Sequence, residues 1–421
     1  MTENVYVLLP LLKTIEKNRS PEAQLDELIG LTKAIDVHVV GGEVVLLREI
    51  KPATFMGKGH VERLGALFAE KEISLVVCGC DLSPIQQRNL EKAWQVKVID
   101  KTALILEIFG DRARTKEGCL QVELAHLTYA RSRLVRSWTH LERQRGGAGF
   151  LGGPGETQIE LDRRIIDDEI AKIKKELEEV KKTRALHRTA RQKVPYPIVA
   201  LVGYTNAGKS TLFNRLTHAS VLAKDMLFAT LDPTMRQLKL PGGQMVILSD
   251  TVGFISDLPT ELVMAFRATL EEVLSADLII HVRDISHPDT QAQCADVLAV
   301  LKDLGVGEKL DHAYIEVLNK IDLLPADEQK RICNQKKRQP MQWPVSAITG
   351  EGVPELLSCI AKELTKGYTE LVLRIPVERG DVLASLYRKG QVLTTKTYQK
   401  NTKAVVRLLA KDVSLYEKYI A

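Results

Sequence analysis

The sequence predicts an α/β protein with three parts: an N-terminal α/β domain that carries a long helical hairpin, a central α/β domain, and a small α/β C-terminal domain. Three observations predict this. Apolar, strand-like runs alternate with helical spacing over residues 1–115 and 195–366, which is typical of α/β layers with a mostly parallel sheet. Apolar residues recur every seven positions in two stretches of 116–190, which predicts a hairpin of helices. Residues 369–421 hold two strand-like runs, with a helix predicted between them.

The composition is that of a globular protein. Of the 421 residues, 45% are hydrophobic and 27% are charged, which excludes a disordered, collagen-like or disulfide-rich chain. No apolar run approaches the ~18–20 residues of a membrane span. The first residues carry Glu3 and no basic segment, so we expect no secretory signal. Six scattered cysteines without a zinc-type spacing predict reduced thiols in the cytoplasm.

The net charge of +5 is concentrated in two zones. Residues 112–145 hold eight Lys and Arg against three acids, and residues from 369 onward hold ten against five. Such basic zones favour a polyanionic partner such as RNA. Ordinary solvated helix faces give the same charge pattern and stay open as the alternative.

In the N-terminal domain, four runs are predicted as buried strands: VYVLLP (5–10), VHVV (37–40), LVVCG (75–79) and VKVID (96–100). Residues 57–71 and 83–93 have helical spacing between them. Gly57-Lys58-Gly59 precedes a predicted helix, where it could hold a phosphate or form a tight turn.

Two heptad patterns predict the arms of the hairpin. The first arm carries Leu120, Leu127, Leu134 and Leu141, with Leu124, Arg131 and Trp138 in the second series. The other arm carries Ile159, Ile166, Ile173 and Val180, with Ile170 and Leu177. Residues 146–155 between them contain six glycines and a proline, which end the first helix. Thr157 is the predicted cap of the second helix, with Glu160 as its capping-box partner. A tip that approaches a ligand surface and a flexible turn both explain the glycines.

The central domain contains a complete phosphate-loop motif. The apolar run 197–202 leads into Gly203-Tyr204-Thr205-Asn206-Ala207-Gly208-Lys209-Ser210, and a helix is predicted to follow from Thr211. In such a loop the backbone N–H groups surround the phosphates, the lysine binds the outer phosphates and the Ser210 hydroxyl ligates Mg²⁺.

Three further motifs follow in the order of a GTPase. Asp250-Thr-Val-Gly253 supplies a carboxylate for Mg²⁺ and a glycine N–H for the γ-phosphate. Asn319-Lys320-Ile-Asp322 supplies a carboxylate that accepts two hydrogen bonds from guanine, while the Lys320 stem covers the base. Ser346-Ala347 offers a backbone N–H to the guanine carbonyl oxygen.

Residues 228–234 and Phe254 also belong to the predicted phosphate site. The segment FATLDPT (228–234) begins with Phe228 and includes Thr230 and Thr234, either of which could be the switch threonine for Mg²⁺ and the γ-phosphate; similarity to a known GTPase family favours Thr230. Phe254 follows Gly253, where many GTPases have a glutamine that orients water. Phenylalanine has no hydrogen-bonding group, so the sequence names no catalytic side chain.

These residues resemble the HflX family of ribosome-associated GTPases over nearly the whole chain. The resemblance is carried by PATFMGKG (52–59), GPGETQIELDRR (153–164), LFATLDPT (227–234), DTVGFISDLP (250–259), NKID (319–322) and SAITGEG (346–352). The tip differs from the usual family pattern by Leu151 and an extra glycine.

The resemblance implies a Ras-like P-loop G domain with GTP as substrate, GDP as product and Mg²⁺ as cofactor. It also implies binding to the large ribosomal subunit and its rRNA, GTP hydrolysis stimulated there, and the splitting or rescue of stalled ribosomes under stress. The hairpin tip would then reach toward the peptidyl transferase centre, and we expect a monomer. The ribosome-contact candidates are Arg131, Arg143, Arg145, Gly146, Gly147, Gly149, Gly152 and Gly153.

Three other functions compete with this one. A tRNA-modifying GTPase would have a cysteine-bearing C-terminal motif, whereas the last cysteine here is Cys359. A membrane-remodelling GTPase would need lipid-facing apolar helices or an acylation site. An RNA-binding module whose GTP site is only structural has the same sequence features, and only measurements of GTP turnover distinguish it from a GTPase.

Overall fold

A computed structural model describes residues 3–13, 19–144, 154–191, 196–218, 228, 234–256, 272–335, 341–398 and 400–420. Within these residues, no helix combines the length and the apolar character that a bilayer span needs.

The N-terminal domain is built on a four-stranded parallel sheet, as the alternation of runs predicted. Its strands are β1 (Asn4–Leu12), β2 (His38–Leu47), β3 (Leu75–Cys78) and β4 (Lys97–Asp100), in the order β2-β1-β3-β4. The strand β1 is buried on both faces: Val5, Val7 and Leu9 join one hydrophobic cluster, while Tyr6 and Leu8 join another. A continuous apolar run is what such a doubly covered parallel strand requires.

Helices cover both faces of this sheet. They are α1 (Pro21–Lys33), α2 (Lys58–Glu70), α3 (Pro84–Trp94) and α4 (Lys101–Arg112). Three of them begin at side-chain caps, which satisfy N–H groups that the first helical turn leaves open. Ser20 caps α1, Ser83 forms a capping box with Gln86 on α3, and Asp100 caps α4.

The hairpin consists of α5 (Lys116–Gln144) and α6 (Pro154–Arg191). At its base the predicted seam is present: Leu120 packs with Ile173 and Leu177, with Leu124 and Val180 against them. The predicted start of the second arm is wrong, because α6 begins at Pro154 and Thr157 lies inside its first turns. Proline at the first helical position is favourable, since its missing N–H would have no partner there. Residues 145–153, which include most of the tip, are outside the described residues.

Two contacts fix the direction of α5. Arg131, the polar interruption of the seam, forms an ion pair across the hairpin with Asp167 at 2.9 Å. Arg133 pairs with the buried Asp100 at the end of β4, and the Tyr129 hydroxyl donates to the same carboxylate at 2.8 Å. The hairpin is therefore joined to the N-terminal sheet by charge-assisted hydrogen bonds as well as by apolar packing.

The central domain is a six-stranded sheet in the order β10-β9-β8-β5-β7-β6. Its strands are β5 (Ile198–Gly203), β6 (Thr234–Lys239), β7 (Met245–Asp250), β8 (Leu278–Asp284), β9 (Tyr314–Asn319) and β10 (Gln342–Pro344); only the pairing of β6 with β7 is antiparallel. Helix α7 (Lys209–Thr217) follows β5, and further helices span Thr290–Asp303, Gly307–His312, Ala326–Gln335 and Val353–Leu364, with a 3-10 turn at Ile321–Leu323. The loops after β5, β7, β8 and β9 leave the same edge of the sheet, where ligands bind in open α/β sheets.

The C-terminal domain is a three-stranded antiparallel sheet in the order β11-β13-β12. Strands β11 (Tyr368–Pro376) and β13 (Asn401–Leu409) and helix Gly380–Lys389 match the prediction, whereas β12 (Gln391–Thr397) was not predicted. Short helical turns at Ala410–Val413 and Ser414–Tyr419 end the described chain. One face of the sheet buries Leu373, Ile375 and Val406 against Leu386 and Tyr416.

Candidate functional site

The loop from Gly203 to Gly208 lies between the central strand β5 and helix α7. Both glycines are required by close approaches. A Cβ on Gly203 would lie 2.2 Å from the Val282 carbonyl oxygen, and a Cβ on Gly208 would lie 2.2 Å from Asn319 Nδ2. Gly208 also has φ +89°, a conformation that side chains disfavour. The motif glycines thus let the loop, β8 and the end of β9 meet at one point.

Lys209 is the first residue of α7, and its side chain is buried. Its ammonium donates to the carbonyl oxygens of Gly203 (3.1 Å) and Tyr204 (2.7 Å), so the chain curls back over the loop. Burial lowers the pKa of Lys209 to about 8, and the nearby Asp250 carboxylate opposes that shift. An anion placed on the loop would raise this pKa again, because it adds negative charge next to the buried ammonium.

A pair of oxygen donors lies beside the lysine. The Ser210 hydroxyl donates to Asp250 Oδ2 at 2.7 Å, which brings the loop serine and the end of β7 together. A hydroxyl and a carboxylate at this spacing fit a hard cation such as Mg²⁺, which keeps several waters when it binds protein and phosphate together. Thr230 is outside the described residues. The alternative, Thr234, begins β6 and is the strand partner of Asp250.

The segment after Asp250 closes against the loop. The Thr205 N–H donates to the Phe254 carbonyl oxygen (2.7 Å), and the Phe254 N–H donates to the Gly203 carbonyl oxygen (3.1 Å). A Cβ on Gly253 would lie 2.9 Å from Thr205 Cα and 3.0 Å from Lys209 Nζ, so glycine is needed for this contact. The Phe254 side chain is buried in the core, and it orients no water there.

The residues predicted to read the base converge on the far side of the loop. Asn319 Nδ2 donates to the Ala207 carbonyl oxygen (2.8 Å), and Asn319 Oδ1 accepts from the Ala347 N–H (3.0 Å). One buried amide therefore joins the phosphate loop to the loop after β10. Lys320 pairs with Asp284 at 2.7 Å, and Asp322 is exposed, with its carboxylate open to a ligand.

The backbone N–H groups of Ser346 and Ala347 already have partners within the protein. The Ala347 N–H already donates to Asn319, and the Ser346 N–H donates to the Glu351 carbonyl oxygen at 3.0 Å. The Ser346 hydroxyl accepts from the Thr349 N–H. A hydrogen bond from Ala347 to a base would therefore be shared with Asn319.

The other predicted nucleotide-binding residues differ in how far they are exposed. Thr205 and Ala207 are buried, Asn206 is exposed with φ +56°, and Thr211 is half-buried on α7. Phe228, also predicted to contact the nucleotide, packs against the N-terminal domain. Its side chain is 2% exposed, and its ring packs edge-on against Phe109 of α4 with centroids 4.8 Å apart.

A buried network links the loop to the N-terminal domain, and the sequence did not reveal it. The Tyr204 hydroxyl donates to Glu27 at 2.8 Å, and it accepts from the Ser256 N–H (2.8 Å) and from Arg19 (3.2 Å). Lys101 donates to the Ser256 carbonyl oxygen at 2.8 Å. A tyrosine inside a glycine-rich loop was the only available signal, and its partners are more than 50 residues away in sequence.

A second polar cluster lies beneath the sheet. Ligand atoms of His281, Cys294 and Glu316 lie within 4.8 Å of one another, although no sequence spacing predicted a metal site. Glu316 already pairs with Arg283 and accepts from Gln342 at 2.6 Å. The cluster is therefore centred on an ion pair, in which a fixed cation already neutralises the Glu316 carboxylate.

The ribosome-contact candidates are only partly visible. Arg131 is half-exposed and bound to Asp167. Arg143 lies in α5, but its side chain is outside the described residues. Arg145 and all five candidate glycines, Gly146, Gly147, Gly149, Gly152 and Gly153, are outside them as well.

Comparison with known proteins matches the whole architecture to one group. Residues 22–110 match a GTP-binding GTPase N-terminal model, and 112–191 match its middle region. Residues 198–320 match a 50S ribosome-binding GTPase model, and 331–415 match an HflX C-terminal domain. The GTPase HflX of Magnetococcus marinus is 49% identical over 96% of this chain and 92% of its own length. That of Escherichia coli is 42% identical over 91% and 88%.

Proposed function

Because this chain belongs to the HflX family of GTP-hydrolysing enzymes, we propose that it acts on the large ribosomal subunit, hydrolyses GTP fastest there, and splits or rescues stalled ribosomes under stress. The tRNA-modifying, membrane-remodelling and purely RNA-binding functions account less well for the match to the HflX family. A purely structural GTP site would not need the Lys209, Ser210 and Asp250 arrangement that prepares phosphates for transfer.

The observation that carries the nucleotide assignment is the convergence on one loop. Backbone N–H groups of residues 203–208 and of the first turn of α7 hold the β- and γ-phosphates, and Lys209 supplies the cation. Asp322 accepts from guanine, Lys320 covers the base, and Asn319 holds both loops in register. Tyr204, Thr205, Asn206, Ala207 and Thr211 contribute backbone or packing contacts.

Mg²⁺ fits the oxygen donors of this site. Ser210 and Asp250 lie together, so Ser210 would bind Mg²⁺ directly and Asp250 would hold it through water, with Thr230 as a further ligand on the strength of the family resemblance. Bound Mg²⁺ supplies positive charge to the phosphate oxygens. The protein groups then keep the phosphates in place while water attacks.

The attacking water needs a positioning group from elsewhere. Phe254 occupies the usual glutamine position and is buried, so the isolated chain should hydrolyse GTP slowly. Groups supplied by a partner accelerate other GTPases by ~10³–10⁵-fold. We therefore expect large ribosomal subunits to raise kcat by orders of magnitude, with small subunits as the control. Equal turnover with and without large subunits would contradict this mechanism.

The hairpin is the proposed ribosome-acting element. Its base is packed by Leu120, Ile173 and Leu177, and Arg133 ties it to Asp100, so the arms should fold without the tip. Replacing residues 146–155 with a short Gly/Ser turn should leave GTP affinity and pelleting with large subunits nearly unchanged. Subunit splitting, followed by light scattering, should be lost. Undiminished splitting would return the glycines to the role of a flexible turn.

The proposed action on ribosomes also determines the expected binding partner and the expected cellular location. Basic residues of the arms and the C-terminal domain would bind rRNA phosphates, with an affinity that falls as salt rises. A monomer in the cytoplasm, where ribosomes and reduced thiols coexist, is the proposed working form.

A further inference from the structure

The face of the C-terminal sheet opposite the domain core carries exposed cations. The other face of the sheet packs Leu373, Ala404 and Val406 into the domain core. Side chains alternate between faces along a strand, so Arg374, Lys396 and Lys403 belong to the face opposite the core. All three are exposed.

These three cations form one row across the sheet. Arg374 is the register partner of Lys403 on β13, and Lys403 is the partner of Lys396 on β12. Directly paired positions hold their Cβ atoms ~5 Å apart, where like charges destabilise the sheet. In the described part of the chain none of the three forms an ion pair, whereas the neighbouring Arg407 pairs with Glu370. A polyanion bound across the row would offset this repulsion.

An open cleft of about 720 Å³ adjoins the row. It lies between the β6–β7 turn of the central domain and the C-terminal sheet, and its lining includes Val405 and Thr394. Val405 is two residues from Lys403 on the same face, so the cleft begins ~7 Å from the row. The volume falls in the range of ligand pockets.

The cleft also carries groups suited to a nucleobase. The rings of Tyr196 and Tyr387 line it and are 37% and 52% exposed. Gln244 lines it too; its side-chain amide is buried, and neither the oxygen nor the nitrogen has a hydrogen-bond partner. Such an amide offers a donor and an acceptor together, the pattern that matches a base edge.

We propose that this surface binds single-stranded RNA, with phosphates on the Arg374–Lys403–Lys396 row and one base held in the cleft by Tyr387, Tyr196 and Gln244. Aromatic stacking beside a positively charged track is how single strands are bound without a duplex. An acidic peptide would use the cations but would leave the tyrosines and the amide unused. The identification of ribosomal RNA as the natural source rests on the proposed function.

The test measures binding of fluorescently labelled RNA hexamers to the full-length protein by anisotropy over a salt series. Tyr387→Ala should weaken binding about tenfold, and Tyr387→Phe, which keeps the ring, should bind like wild type. Replacing Arg374, Lys396 and Lys403 by glutamine should lower the salt slope by about 2, since each phosphate contact in a single strand contributes ~0.7. Lys418→Gln, an exposed lysine elsewhere in the domain, is the matched control.

Gln244→Leu separates recognition from folding. It removes the unpaired amide, so thermal stability should hold or rise while RNA affinity falls. Crosslinking of a 4-thiouridine hexamer should label peptides containing Tyr196 or Tyr387. The proposal is overturned if Tyr387→Ala binds like Tyr387→Phe, if the triple variant matches Lys418→Gln, or if polyglutamate binds as tightly as RNA. Ribosome-stimulated GTP turnover of the wild type is measured alongside, since its absence contradicts the proposed function and not this surface.

Discussion

Removing the Tyr204 hydroxyl should release the segment that follows Gly253 from the phosphate loop. In Tyr204→Phe the Ser256 N–H loses its acceptor, and Glu27 loses a hydroxyl donor. A neutral hydrogen bond is worth ~0.5–1.5 kcal/mol and one to a charged group ~1.5–3 kcal/mol. Only the bond to Ser256 closes the segment after Gly253, so local opening should become ~2–13-fold more frequent, since ~1.4 kcal/mol is tenfold. The lost bond to Glu27 weakens the contact between the loop and the N-terminal domain instead.

Hydrogen exchange read by mass spectrometry measures this opening directly. Peptides that contain Ser256 should exchange faster in Tyr204→Phe, while those of the C-terminal sheet should not change. Tyr398→Phe is the control, because that side chain is 59% exposed and its hydroxyl meets water. An unchanged exchange rate at Ser256 would refute the reasoning, since the hydroxyl would then hold nothing that Lys101 does not already hold.

Two further outcomes are expected. Asp322→Asn should lose GTP affinity by ~1.5–3 kcal/mol and gain xanthine nucleotide binding, because the donor and acceptor pattern is exchanged; equal ATP and GTP affinity in the wild type would overturn the assignment. Burial, with a smaller contribution from Arg283, lowers the pKa of His281 from 6.5 to about 3. Between these two pKa values, His281 is protonated in the unfolded chain and neutral in the folded chain. The free energy of unfolding should therefore fall as the pH drops below about 6.5. The loss should reach on the order of 4 kcal/mol by pH 3–4, and urea unfolding of His281→Gln should show a flatter pH dependence.

The parts of this fold that the sequence revealed are those that local physics dictates. A buried parallel strand must be apolar throughout, which made β1 and β5 visible, and glycine spacing made the loop from Gly203 to Gly208 visible. Strand β12 was missed because QVLTTKT combines a bulge near Leu393 with exposed polar residues, so neither alternation nor a continuous apolar run is present. The start of α6 was missed because Thr157 and Glu160 form a plausible cap, while Pro154 begins a helix equally well.

Contacts between distant segments left no such signal. Phe228 was read with its own motif, yet its ring packs on Phe109, more than a hundred residues earlier. Likewise, nothing near Lys101 in the sequence indicates that its ammonium reaches Ser256. Periodicity and spacing describe a segment against its own neighbours, and long-range partners are chosen by the packed fold.

The Tyr204 hydroxyl bonds to both domains, so it also couples them energetically. The same atom contacts Glu27 in the N-terminal domain and Ser256 beyond the γ-phosphate motif, so any nucleotide-dependent shift of that segment changes the free energy of the contact. Linkage is reciprocal for binding. If a bound nucleotide changes the affinity of the N-terminal domain for a binding partner by some factor, that partner changes the affinity for the nucleotide by the same factor.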